Sequence, residues 1–240
     1  MIDFGKCIAV GVFAAVWLNP PAARAADGPY IAVRGGLAQA QTFSADVGTT
    51  AAVAGGLQER SRIGYEGDVA AGYQLGPLRL EAEASQKGTR LSSVYTPTTV
   101  TIPNSATTLT ARGAGLFTAP SGRSRTRAMM ANVFVSTTNR EVFADGNVHF
   151  FGGVGVGYAW ARAFNHRAVS GAPAYLHGGT RSFAWQLMAG ARYDLTRHLS
   201  VDASYKSFSA TRLRFTDTAG RRTAGSQTWN GFLLGASYAF

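Results

Sequence analysis

The carboxylates most able to do chemistry come in two pairs, and one residue separates the members of each pair. Neighbouring carboxylates can carry general acid–base catalysis or form a path for protons or ions. Basic residues at the same alternate spacing accompany them, and charges removed from water must be paired. We therefore predict a structural network of salt bridges in preference to a catalytic or ion-conducting site. The predicted network consists of Arg34, Glu66, Asp68, Arg79, Glu81, Glu83 and Lys87.

The four histidines could supply a general base or metal ligands. We expect an inward-facing position for His149, a long loop for His166 and His177, and a short turn for His198. A surface acyl hydrolase needs a serine–histidine pair with an orienting carboxylate, and the spacing singles out no serine. Two imidazoles in a loop make an incomplete metal site. The sequence thus predicts no catalytic residue, no metal and no cofactor, and the protein is not expected to be an enzyme.

Arginines are concentrated in segments that have few acidic residues. No Asp or Glu occurs between Glu83 and Glu141. The guanidinium fork matches phosphate oxygens two at a time. These segments are therefore candidates for contact with a phosphate-bearing ligand, and a specific host or surface ligand is the alternative. The candidate residues are Arg90, Arg112, Arg123, Arg125, Arg127, Arg212, Arg214, Arg221 and Arg222.

The elements that must position these residues are strands, because apolar residues recur at every second position. We expect eight strands, with their apolar side chains on one face and their polar or small side chains on the other. The glycines at 153, 155 and 157 belong to the inward face, where we expect them to make room for bulky side chains. The predicted strands cover about 29–40, 62–75, 78–87, 125–137, 147–161, 181–193, 199–208 and 228–240.

The connections between these strands alternate in length. Long segments at 41–61, 88–124, 162–180 and 209–226 alternate with short turns. Short turns on one side and long loops on the other are typical of transmembrane barrels, as are aromatic residues near the ends of the outward faces. A soluble β-sandwich has similar alternation but does not explain the loop lengths. We predict an all-β protein, a closed antiparallel eight-stranded up-and-down transmembrane barrel.

The first 25 residues have the features of a secretory signal. A basic Lys6 precedes an eleven-residue apolar core that ends at Pro20, and a small-x-small cleavage site follows. A retained anchor is the alternative, although the core is shorter than the roughly 20 residues that span a bilayer. The only cysteine, Cys7, lies in this segment, so disulfides and thiolate sites are not expected in the mature chain. Residues 26–240 would form the barrel domain.

Three segments resemble a known family. Residues 28–36, 151–158 and 234–240 are similar to the small eight-stranded outer-membrane barrels of Gram-negative bacteria, of the OmpA-barrel, OmpX and opacity-protein type, and within these to the porin-family-like versions common in alphaproteobacteria. The resemblance implies that the last strand is a recognition signal for the barrel-assembly machinery. Gly235, Tyr238 and Phe240 match that signal, whereas Leu233 replaces its expected polar residue.

The net charge and the export signal together indicate the binding partners of the protein. The net charge of +10 suits lipopolysaccharide phosphates, anionic polysaccharide or nucleic acid, and an export signal favours the first two over nucleic acid. We expect an integral outer-membrane protein with a structural or surface role in membrane integrity. Its basic loops could contact lipopolysaccharide or serve in adhesion. A narrow channel for ions or small solutes is the first alternative, and a lipid A-modifying enzyme is the second. The sequence predicts no oligomeric state.

Overall fold

The structure is a computed structural model, and it describes residues 28–45, 57–96, 100–102, 109–111, 115–117, 120–137, 148–167, 174, 176–216 and 222–240. The predicted signal at 1–25 lies outside these residues. No helix long and apolar enough to span a membrane occurs in the described part of the chain. The strands are β1 (Gly28–Ala40), β2 (Phe43–Ala45), β3 (Leu57–Ser61), β4 (Ile63–Leu75), β5 (Leu78–Thr96), β6 (Val100–Ile102), β7 (Leu109–Ala111), β8 (Gly115–Phe117), β9 (Ser121–Ser136), β10 (Val148–Arg167), β11 (Leu176–Asp194), β12 (Leu199–Thr216) and β13 (Arg222–Ala239).

Eight of these strands form a closed antiparallel ring. Its order is β5, β4, β1, β13, β12, β11, β10 and β9, and β9 pairs with β5 to close it. The closing pair runs from Leu78 opposite Val135 to Arg90 opposite Arg123. Gly76 lies in the tight turn between β4 and β5 and has φ 57°. Glycine adopts this left-handed conformation without the strain that a side chain would cause. The predicted fold class is confirmed.

Side chains alternate between the two sides of the wall along each strand. In β1, Ile31 and Val33 point outward and are exposed, whereas Ala32 and Arg34 are buried inside the ring. In β13, Phe232 and Leu234 are 72% and 71% exposed. Apolar side chains this exposed around a whole ring suit contact with lipid tails. The outer wall is therefore suited to lipid, and the inward side chains of the same strands fill the ring.

The strands extend farther than the sequence predicted. β5 continues to Thr96, β10 continues to Arg167 and β12 continues to Thr216. The segments between the ring strands at the long-loop end therefore contain fewer residues than the predicted loops 88–124, 162–180 and 209–226. His166 and His177, expected in a loop, lie on β10 and β11. Backbone pairing continues beyond the apolar band because neighbouring strands still offer partners, although Gly, Ser, Thr and Arg replace the alternating apolar residues.

The interior of the ring is layered. An apolar layer near the long-loop end contains Phe208, Leu213 and Trp229 among small alanines. Charged side chains fill the middle. A third layer near the short turns contains Phe134 and Phe151, whose rings meet edge to face at 5.9 Å. Packed side chains thus fill the ring at each of these levels, as expected for a barrel of eight strands.

Candidate functional site

The middle layer brings together the charged residues that the sequence singled out. Arg34 Nε donates to Asp68 Oδ1 at 2.8 Å, and its Nη2 donates to Glu81 Oε1. Lys87 Nζ donates to Glu66 Oε1. These five side chains are at most 4% exposed. Because alternate residues of neighbouring strands share one face, the i, i+2 spacing of the carboxylates places them all inside the ring.

Lys206 on β12 connects these pairs and was not among the predicted network residues. Its ammonium lies 2.7 Å from Asp68 Oδ2, 3.0 Å from Glu83 Oε1 and 3.2 Å from Glu66 Oε1. The three carboxylates lie within 4.8 Å of one another, a spacing that could hold a metal ion. The ammonium occupies the place of such a cation. We define the central charge network as the seven residues that these ion pairs join, namely Arg34, Glu66, Asp68, Glu81, Glu83, Lys87 and Lys206.

Three neutral side chains complete the hydrogen bonding of the central charge network. Asn132 on β9 donates to Glu83 Oε2 at 3.0 Å, and Gln186 on β11 donates to the same oxygen at 2.8 Å. Tyr30 donates its hydroxyl to Glu81 Oε2 at 2.9 Å. Sequence reasoning missed Asn132 and Gln186 because amides carry no charge. Their inward position in the alternation is the signal that could have found them.

Arg79 differs from the expectation that the inward cations meet carboxylates. Its guanidinium carbon lies 4.5 Å from the ring centre of Phe134, 5.1 Å from that of Phe151 and 5.6 Å from that of Tyr30. Its Nε has no hydrogen-bond partner among the described residues. Arg79 is therefore held by aromatic rings through cation–π contacts. It lies in the layer near the short turns, beside the central charge network.

A smaller ionic cluster lies at the short-turn rim. His149 Nε2 lies 3.1 Å from Asp194 Oδ2, and Arg192 Nε donates to Asp194 Oδ1 at 2.9 Å. Burial alone would raise the pKa of Asp194, but hydrogen bonds from His149 and Ser200 and the charge of Arg192 outweigh it and lower that pKa to about 2. The hydrogen bond to Asp194 raises the pKa of His149. This cluster ties the start of β10 to the end of β11.

The predicted anion-contact residues lie on the outer wall at the long-loop end. Arg112 and Arg221 fall outside the described residues, and Arg222 begins β13 without a described side chain. The others lie on strands: Arg90, Arg123, Arg212 and Arg214 were expected in long loops, whereas Arg125 and Arg127 fall within the strand predicted at about 125–137. Two outward arginines on β10 and β11 join them. We define the arginine belt as the exposed residues Arg90, Arg123, Arg125, Arg127, Arg162, Arg181, Arg212 and Arg214.

Members of the arginine belt face each other directly across strands. Arg90 is opposite Arg123, and Arg125 is opposite Arg162. Like charges in directly opposed positions destabilise a sheet. The belt is therefore an electrostatic cost to the isolated barrel, and an anion between the opposed arginines would remove that cost.

Two adjacent clefts are lined by the arginine belt. One, of about 730 Å³, has Arg125, Arg127, Arg162 and Arg181 in its lining together with Trp160 and other residues. The second, of about 670 Å³, contains Arg181, Arg212 and Arg214 beside Phe183. Both combine cations with outward aromatic rings. Such a surface can bind a ligand that carries phosphate next to apolar groups.

A closed ring of eight antiparallel strands with an apolar outer wall and a packed, charged interior defines a transmembrane β-barrel protein. The chain belongs to the outer membrane protein beta-barrel domain family, whose match covers residues 8–240. Membership of this family implies a location in the Gram-negative outer membrane. The resemblance seen in the sequence is thereby confirmed.

Solved structures with a similar fold come from several bacteria. Neisserial surface protein A is 14% identical with a TM-score of 0.54, and the match covers 89% of this chain and 97% of that one. OprG from Pseudomonas aeruginosa is 13% identical with a TM-score of 0.47, covering 89% and 96%. Ail, the attachment invasion locus protein of Yersinia pestis, is 15% identical with a TM-score of 0.40, covering 90% and 100%. At such identities the likeness concerns the fold alone. No curated protein matches the sequence significantly.

Proposed function

We propose that this protein is a structural outer-membrane barrel that binds lipopolysaccharide on its outer wall through the arginine belt. The observation that carries the proposal is the pair of directly opposed arginines, Arg125 and Arg162, in a cleft beside Trp160. Lipid A presents phosphates above acyl chains. A phosphate between the two guanidinium groups would turn a repulsive pair into two charge-assisted contacts. The aromatic ring would lie against the acyl chains.

The position of the arginine belt fits the outer leaflet. The belt lies at the long-loop end, which faces outward in transmembrane barrels, and exposed Val156 and Tyr158 continue the same wall toward the middle of the barrel. The arginine belt thus lies directly beyond the apolar band, at the level where we expect the lipid phosphates. Bridging between lipopolysaccharide molecules would strengthen the surface layer, and the loops beyond it could serve adhesion.

Assembly of the barrel is part of the same proposal. Residues 1–25 would direct export and be cleaved. The last strand, with Gly235, Tyr238 and Phe240, would be the recognition signal for the barrel-assembly machinery. Tyr238 and Phe240 are both exposed on the outer wall, and their rings meet edge to face at 5.5 Å.

Neutralising three members of the arginine belt tests the lipid proposal. The variant Arg125→Gln with Arg162→Gln and Arg181→Gln should bind lipopolysaccharide at least about tenfold more weakly, because each charged hydrogen bond contributes more than about 1 kcal/mol. Binding is measured by titrating lipopolysaccharide into the folded barrel in phospholipid nanodiscs at two salt concentrations. The wild-type affinity should fall with salt and the variant affinity should depend on it less.

A matched control uses an arginine at the other end of the barrel. Arg197→Gln changes an exposed arginine in the short turn before β12 and should leave lipopolysaccharide binding unchanged. Equal affinity of the triple variant and the wild type would contradict the proposal. So would an equal loss in Arg197→Gln, which would point to a general effect of net charge.

The central charge network supports a closed lumen over the channel alternative. Lys87 and Lys206 are fully buried and Arg34 is 3% exposed, so the side chains of the middle layer fill the lumen at this level. We therefore expect no stepwise conductance from the purified barrel in planar lipid bilayers. Stable, reproducible current steps, abolished by boiling the sample, would favour the channel instead.

A further inference from the structure

We infer that the arginine belt holds two phosphates of one acylated glycolipid, one in each of its two clefts. This inference rests on the proposed function and specifies its ligand. We call the cleft of about 730 Å³ the first cleft and the cleft of about 670 Å³ the second cleft. Thr180 and Arg181 line both, so the two clefts meet on β11. A single ligand that occupies both clefts needs two anionic groups, one for each set of guanidinium groups.

The arginines of the two clefts lie at a similar level on four consecutive strands of the ring. Arg125 on β9 is opposite Arg162 on β10. On β11, Arg181 lies two residues from the position opposite Arg162. The backbone N–H of Arg214 on β12 donates to Thr180 Oγ1 at 3.2 Å, which places Arg214 beside this part of β11. Since neighbouring strands are about 4.8 Å apart, the gaps β9–β10 and β11–β12 are separated by roughly 10 Å. Phosphates at the two ends of a disaccharide are separated by a comparable distance.

A bulge in β12 turns two arginines toward the second cleft. Every second residue up to Ala210 faces inward, so strict alternation would also turn Arg212 and Arg214 inward. The pairing of β12 with β13 shifts register between Ala210 and Leu213, and Arg212 adopts φ 55°. Leu213 is consequently buried, whereas Arg212 and Arg214 are exposed. Burial of Leu213 alone would not require arginines on the outer side. A left-handed residue other than glycine is costly, and bulges often re-aim side chains at functional sites.

A second irregular segment borders the first cleft. Asn165 and Arg212 are the only residues other than glycine with positive φ in the described part of the chain. Asn165, at φ 48°, lies in a register shift of β10 and follows Phe164, which lines the first cleft. The ring centre of Phe164 lies 5.8 Å from the guanidinium carbon of Arg125. Both left-handed residues thus lie at the border of a cleft of the arginine belt.

The charge of both clefts suits phosphate. No Asp or Glu occurs among the described residues that line them. The first cleft has four arginines and the second has three, with Arg181 shared. Arginine forks bind phosphate oxygens two at a time. Each cleft therefore offers several guanidinium groups to one phosphate, and neither cleft contains a carboxylate that would repel it.

Exposed aromatic rings next to the arginines indicate that the ligand carries acyl chains. Trp160 in the first cleft is directly opposite Arg181. Phe183 in the second cleft lies two residues from Arg181 on the same face, and Tyr158 is opposite Phe183. All three rings are exposed and continue the apolar outer wall. Acyl chains below the phosphates would cover these rings, whereas a soluble bisphosphate would not. The ligand class is therefore an acylated disaccharide with two phosphates.

A comparison of lipids with two phosphates and with one tests the inference. The folded barrel in phospholipid nanodiscs is titrated with diphosphoryl lipid A and with monophosphoryl lipid A of the same acylation. The wild type should bind the diphosphoryl lipid at least about tenfold more tightly, because the second phosphate gains charged hydrogen bonds in the second cleft. Arg212→Gln with Arg214→Gln should weaken binding of the diphosphoryl lipid more than that of the monophosphoryl lipid. The ratio of the two affinities should then fall below about twofold.

Two further variants make the comparison specific. Arg125→Gln with Arg162→Gln removes the opposed pair of the first cleft and should reduce the ratio in the same way. Arg197→Gln, in the short turn at the other end of the barrel, should keep the wild-type ratio. Migration of unboiled and boiled samples on a gel reports the folding of each variant. An unchanged ratio in the folded Arg212→Gln, Arg214→Gln variant would overturn the assignment of a phosphate to the second cleft.

The remaining outcomes separate this inference from the proposed function. Equal wild-type affinity for the two lipids, together with weaker lipopolysaccharide binding by the triple variant, would overturn the two-phosphate ligand and leave the proposed function standing. Failure of the wild type to bind either lipid would contradict the proposed function itself. Inositol hexakisphosphate serves as a soluble polyphosphate without acyl chains. If it displaces the diphosphoryl lipid at equal concentration, the assignment of an acylated ligand is wrong.

Discussion

Replacing Lys206 with methionine is expected to lower the free energy of unfolding by about 3–5 kcal/mol, the usual result of removing one partner of a buried ion pair. Methionine has a similar length, so the change removes the charge and leaves little void. Asp68, Glu83 and Glu66 then share the interior with one cation fewer. Guanidinium unfolding of the barrel from lipid vesicles, followed by tryptophan fluorescence, measures the difference.

A double variant separates charge imbalance from lost packing. Adding Glu83→Gln to Lys206→Met restores the balance of charges and keeps an oxygen that can accept from Asn132 and Gln186. The double variant should therefore recover a large part of the lost stability, a coupling that a double-mutant cycle measures. Arg197→Met, exposed in a short turn, should change stability by less than about 0.5 kcal/mol. If Lys206→Met alone behaves like Arg197→Met, the three carboxylates do not depend on the ammonium.

Alternation made most of the wall and much of the interior predictable. A period of two assigns each side chain to lipid or lumen as long as pairing is regular. That rule placed Glu66, Asp68, Glu81 and Glu83 on the inner face, where the structure joins them to Arg34, Lys87 and Lys206. It could not say which cation would lie at the centre, because Lys206 on β12 reaches the carboxylates from across the ring, whereas Arg34 and Lys87 lie opposite Asp68 and Glu66 on adjacent strands.

The same rule fails where the pairing is irregular. The bulge at Asn165 reverses the face of His166, and no local signal in the sequence reports the reversal. Glu59 and Ser124 each lie 3.1 Å from a ring nitrogen of His166 but come from distant segments of the chain, so their spacing in the sequence does not predict these contacts. The arginine belt was partly visible as an acid-free segment, but Arg162 and Arg181 become its members only through the register of β10 and β11. Register is set by the whole closed ring.

Substitution of Gly157 by alanine is expected to destabilise the barrel by about 1–3 kcal/mol, the range for overpacking. A Cβ at this inward position would lie 2.0 Å from the carbonyl oxygen of Met129 and 2.9 Å from Met130 Cα. Both atoms belong to the backbone of β9, which cannot move without separating the two strands. Without such a clash, alanine in place of glycine would stabilise the strand by restricting the unfolded chain. The sign of the effect therefore reports the close approach of β10 and β9.

The same strand supplies the control. Gly152 on β10 points to the outer side, and a Cβ there would meet nothing within 4 Å. Gly152→Ala should leave the free energy of unfolding within about 0.5 kcal/mol of the wild type or raise it. The two substitutions add the same methyl group to the same strand, five residues apart, and differ only in the side of the wall. Equal effects at the two positions would mean that the inward face of β10 has room to spare, contrary to the packed interior on which the closed lumen depends.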